Sequence, residues 1–63
     1  MNADVKGALA QINKSWKTFE HNGQKMCKAE VRAVLEYAVS KGYETTDELK
    51  DSEVDEIIKK LNP

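Results

Sequence analysis

Large apolar residues recur through the first third of the chain at alternating steps of four and three: Val5, Leu9, Ile12, Trp16 and Phe19. Such a repeat keeps side chains on one side of a helix, so VKGALAQINKSWKTF reads as a first helix. Asn2 and Asp4 stand near its start, where a side-chain oxygen can accept an orphan backbone N–H. The stripe is narrow, closer to a two-helix seam than to a broad globular face, and a homodimer is compatible with it. After EHNGQKM a broader stripe begins with Val31, Val34, Leu35, Ala38 and Val39, and Glu30 stands three residues after Cys27 in the place of a capping-box acid. SKGY closes this second helix: Lys41 suits the negative end of the dipole, Gly42 supplies a left-handed residue, and Tyr43 folds back onto the last turn.

TTDEL then offers Thr45 and Glu48 as a capping box over a short turn that gives Leu49 to the core. The step from Leu49 to Val54 breaks helical period, so DSEVDEIIKKLNP is a separate element. Asp51 or Ser52 would cap it, Val54, Ile57, Ile58 and Leu61 share one side, and Asn62-Pro63 ends it. The expectation is all-α: a small three-helix domain over residues 1–63, with a short helical turn before the last helix. Only residues 18–26 admit β structure, because Asn22-Gly23 is the commonest two-residue hairpin turn. The expected core is Leu9, Ile12, Trp16, Phe19, Met26, Val31, Val34, Leu35, Ala38, Tyr43, Leu49, Val54, Ile57, Ile58 and Leu61.

Composition narrows the function. At 63 residues the chain is near the lower size at which a core forms unaided, and it has no layers between which a large pocket would sit. That points away from an enzyme and from a bound cofactor. The formal net charge of -1 argues against a general polyanion binder, yet the cations lie mostly before Gly42 while ETTDELKDSEVDE is acidic, so the chain is electrically polar. No leader is legible in MNADVKGAL and no apolar run is long enough to span a bilayer, so the expectation is a soluble cytoplasmic protein without a membrane partner. His21 is the only histidine and has no second His or Cys at ligand spacing, which speaks against a metal site. Cys27 at a helix start between Lys25 and Lys28 is in a setting that favours thiolate, but no base stands beside it; a partly buried structural thiol is expected.

Phe19 to Leu35 resembles an EF-hand: an aromatic ending the entering helix, a loop with Gly, Met26 at the inward aliphatic place, Glu30 at the bidentate acid, and an exiting helix. Calcium takes about six to eight oxygens. The early loop places here offer Glu20, His21, Asn22 and Gln24, with Lys25 and Lys28 adding positive charge, and the loop is shorter than the family's, so the resemblance implies a degenerate module without metal. The layout from Cys27 to Leu61 is also loosely similar to helix-extended loop-helix modules of the SAP or LEM kind, some of which bind DNA and others protein. In the DNA-binding members the second helix and its approach are basic, whereas here they carry Asp47, Glu48, Asp51, Glu53, Asp55 and Glu56, which would repel phosphate.

Excluding chemistry leaves binding. The expected function is a small non-enzymatic regulatory or accessory protein acting through another protein, with Arg32, Glu36, Tyr37 and Lys41 as the candidate contact residues. Tyr37 lies off the main stripe of its helix, and aromatic residues dominate interface energetics. The alternative is a nucleic-acid-binding module that uses Lys14, Lys17, Lys25, Lys28 and Arg32 around the first loop.

Overall fold

The computed structural model describes residues 3–62. Val5–Ala10 forms α1, capped by Asp4, whose Oδ2 accepts the Gly7 N–H at 2.7 Å. Gln11 leaves the helical conformation (φ -112°, ψ 23°), Ile12–Ser15 forms α2, and a 3-10 turn follows at Trp16–Thr18. The single first helix read from the spacing is therefore two short helices and a turn. At the break the Gln11 carbonyl accepts the N–H groups of Lys14 and Ser15 together with the Ser15 hydroxyl. A hydroxyl turned back onto the backbone bends a helix. Asn2 and Pro63, expected at the ends of the first and last helices, lie outside the described residues.

Glu20–His21 (β1) and Gln24–Lys25 (β2) pair antiparallel, Glu20 opposite Lys25 and His21 opposite Gln24. Asn22 (φ 55°) and Gly23 (φ 78°) supply the two positive values that a tight primed turn requires. The hairpin falls within residues 18–26, the one stretch that admits β structure, and the all-α expectation is corrected to a mostly helical fold with a small two-stranded sheet. The Met26 N–H donates to the Phe19 carbonyl at 3.1 Å, closing the hairpin beneath two buried side chains.

Lys28–Ser40 forms α3, thirteen residues without Gly or Pro. It ends in a Schellman arrangement: the Tyr43 N–H donates to the Ala38 carbonyl at 2.9 Å and the Gly42 N–H to the Val39 carbonyl at 3.0 Å, with Gly42 at φ 79°. A second 3-10 turn, Thr46–Glu48, is tied to the chain's beginning. The Thr46 N–H donates to the Ala3 carbonyl at 2.9 Å, Thr46 Oγ1 accepts the Ala3 N–H at 3.0 Å, and the Val5 N–H donates to the Glu44 carbonyl at 2.9 Å. Thr46 is accordingly buried, at 2% exposure. Asp51–Leu61 forms α4, and its cap is Lys50 rather than Asp51 or Ser52, because Lys50 is the last residue with extended backbone.

The buried core is Val5, Ile12, Phe19, Met26, Val31, Val34, Leu35, Ala38 and Val54. Full burial of a side chain such as Leu35 contributes about 1.5–3 kcal/mol. Val5 replaces Leu61 in the expected set. Leu61 is 43% exposed, since α4 ends level with the first turn of α3, where the Asn62 side-chain N–H donates to Glu30, and among the described residues no element lies beyond to cover it. Leu9, Trp16, Tyr43, Leu49, Ile57 and Ile58 pack half-buried around this centre. Cys27 is exposed, not partly buried, because it stands at the cap of α3 outside the helix's buried stripe. Replacing Gly42 with Ala forces a β-carbon into the left-handed conformation and should destabilise the protein by about 1–2 kcal/mol, read as a lower urea midpoint with unchanged slope.

Candidate functional site

Three carboxylates hold the starts of helical segments, each reaching back to the N–H three residues earlier: Glu30 to Cys27 at 2.9 Å, Glu48 to Thr45 at 3.0 Å, and Glu53 to Lys50 at 2.9 Å. Glu53 does more. While its Oε1 accepts from Lys50, its Oε2 accepts the Tyr37 hydroxyl at 2.7 Å and the Tyr43 hydroxyl at 3.1 Å. One carboxylate thus ties the start of α4 to α3 and to the segment following it. Lys41 Nζ lies 5.8 Å from the centre of the Tyr37 ring, at cation–π distance.

The backbone N–H of Lys50, then the Tyr37 hydroxyl, hold the Glu53 carboxyl below its ordinary value of 4.5. In return the bond to Glu53, with burial and the carboxylate's charge behind it, pushes Tyr37 up from 10.0 to about 12, and raises Tyr43 for the same leading reason. Glu30 and Glu48 are lowered chiefly by the backbone N–H groups of Cys27 and Thr45.

Of the residues expected to bind a protein, Tyr37 is half-buried and turned toward α4, with Lys41 one turn on and exposed. Arg32 and Glu36, also exposed, fall by helical spacing on another part of α3. The four do not form one patch. Of the cations expected to bind nucleic acid, Lys28 and Arg32 share an edge of α3 by their spacing, and α2 and the first 3-10 turn, which bear Lys14 and Lys17, pack on the same helix. Lys17 Nζ lies 5.8 Å from the centre of the half-buried Trp16 ring. Lys25 is drawn elsewhere and lines a small depression with Glu30, Asp55 and Ile58.

His21 Nε2 meets Asp55 Oδ1 at 2.7 Å and joins the hairpin to α4, with the imidazole largely buried. Neither this contact nor the Glu53 cluster was legible in the chain, because each depends on residues brought together across long separations. A fixed acid at Glu53 could have been found by allowing any residue, Lys50 included, to serve as cap. Beside His21 an open depression of about 340 Å³ is rimmed by Glu20, Asp47 and Asp51. Among the described residues no group of three or more His, Cys, Asp or Glu could hold a metal ion, and no helix is long and apolar enough to cross a membrane. In the stretch that resembles an EF-hand, Glu20 to Lys25 pair as a hairpin closed by a two-residue turn, and Glu30 caps α3. The chain matches no family model, no curated protein and no solved structure.

Tyrosinate absorbance tests the Glu53 cluster directly, since the chain has two tyrosines. Tyr37 should ionise near pH 12 and Tyr43 above its ordinary value, and Glu53→Gln should bring both down. A folded-state value raised above the unfolded one means a contribution that is complete below pH 10.0 and lost as pH climbs toward about 12, so unfolding midpoints should fall through that interval. The three depressed carboxylates act with the opposite sign. Their contribution is present above their ordinary 4.5 and fades as pH drops through their lower folded-state values.

Proposed function

We propose that this protein is a small non-enzymatic binding protein that works in the cytoplasm through contact with another protein. The observation that supports this reading is where its positioned polar groups are directed. Glu30, Glu48 and Glu53 accept backbone N–H groups at helix starts, both tyrosine hydroxyls donate to Glu53, and His21 is engaged by Asp55. Groups so occupied hold the fold together. What faces outward is charge and incompletely covered apolar surface, with Val39 39% and Leu61 43% exposed. In this reading that outward surface is the part that meets a macromolecule. The free, exposed Cys27 is compatible with a reducing compartment.

A nucleic-acid reading is favoured by one observation. Lys14, Lys17, Lys28 and Arg32 form no ion pair among the described residues, and Lys17 lies by a half-exposed Trp ring of the kind on which bases stack. Gel-shift titration against single- and double-stranded DNA and RNA at two salt concentrations, run beside affinity capture from the native source, separates the readings. The expected result is a captured protein that untagged protein displaces, with only weak and unsaturated retention of nucleic acid. Tight retention that falls steeply with salt, through counterion release, would replace the protein-partner reading.

A further inference from the structure

The α3–α4 pair has an outer face with a specific chemistry. Two contacts set the helices side by side and antiparallel: Tyr37 with Glu53 at one end and Asn62 with Glu30 at the other, at 2.7 and 3.1 Å. Between them Ala33 and Ile57 are half-buried, and Leu61 projects 43% exposed. A shallow depression on this face is lined by Tyr37, Ser52, Glu53, Glu56, Ile57 and Lys60. By helical spacing the adjoining outward positions of α3 are Ala29, Ala33 and Ser40, all small, so a further helix can approach closely.

Charge along this face changes sign. Toward the start of α4 it carries Glu53 and Glu56, offset in part by Lys41. Toward the end of α4 it carries Lys59 and Lys60, offset by Glu30. A two-fold axis crossing α4 at the level of Ile58 and Lys59 reverses the face onto itself. It sets Glu56 of one copy against Lys60 of the other and, by the same symmetry, Lys60 against Glu56, while Leu61 comes over Ile57.

We infer that two copies of this chain associate about such an axis, α4 packing antiparallel against its symmetry mate with the α3 helices flanking them. The inference rests on the reading of the protein as one that acts through protein contact, and it names a second copy as a partner. Size is compatible with it. A standard interface takes about 800 Å² from each partner, roughly a fifth of the 4403 Å² surface. Short chains with small cores commonly gain stability by association.

Sedimentation equilibrium from ~10 µM to ~1 mM, with the unfolding midpoint followed over the same range, provides the test. The expected result is a reversible dimer that Leu61→Asp abolishes. Lys60→Glu and Glu56→Lys should each weaken it about tenfold or more, and the double variant should recover it, because only the double variant restores opposite charges across the axis. These positions are exposed, so helix content by circular dichroism should be kept in every variant. A monomer throughout the range overturns the inference, as does a dimer indifferent to Leu61→Asp or a double variant no better than the singles. None of these results bears on the capture of a different protein, so failure here is distinguishable from failure of the protein-partner reading.

Discussion

Most of the helical packing in this molecule rests on one buried stripe, Val31, Val34, Leu35 and Ala38 of α3. The helices α1, α2 and α4 and the first 3-10 turn all pack on α3, and the four stripe residues are at most 1% exposed. A chain of 63 residues buries a limited share of its surface, and here a single helix serves as the common wall. The consequence is that α3 must be well delimited at both ends. Glu30 at its start and the Gly42 turn at its end do this with bonds to backbone, which are insensitive to what packs on the helix sides.

The same economy explains why carboxylates recur three residues into helical segments. Glu30, Glu48 and Glu53 each satisfy an orphan N–H at the start of a helical segment, and a negative charge there is favoured by the backbone dipoles. Glu53 also takes in the two tyrosine hydroxyls, so the rings of Tyr37 and Tyr43 pack beside the core without leaving an unsatisfied O–H. That arrangement accounts for half-buried aromatic residues at the seam of α3 and α4 where an all-apolar seam would otherwise be expected.

Much of this was legible residue by residue. Gly42 and Tyr43 close α3 as SKGY implies, and the spacing of Val31 to Ala38 marks the buried side. Asn22-Gly23 carried the hairpin signal, although helical periodicity on both sides outweighed it in an all-α reading. Other features had no local signature. The break at Gln11 depends on a back-bonded Ser15 hydroxyl, the burial of Val5 on an antiparallel bridge between Asp4 and Thr45, and the exposure of Leu61 on where α3 begins. Periodicity shows which side of a helix is apolar; it does not show how far the neighbouring element extends to cover it. Among the candidate protein-contact residues, spacing alone separates Arg32 and Glu36 from Tyr37 along α3, whereas the engagement of the Tyr37 hydroxyl by α4 had no local signature.

The placement of charge follows from the antiparallel course of α3 and α4 and from the capping chemistry. Acids gather at the start of α4, with Asp51 and Glu53 in its first turn, and Lys59 and Lys60 occupy its last turn, each sign favoured by the helix dipole at that end. An amphipathic helix arranged in this way is also electrically asymmetric along its length. Where its apolar side is fully covered, as at Val54, the asymmetry contributes only to its own stability. Where cover runs out, toward Leu61, the same asymmetry lies beside exposed apolar surface and gives that surface a direction, so that a partner helix of like construction is favoured antiparallel and disfavoured parallel.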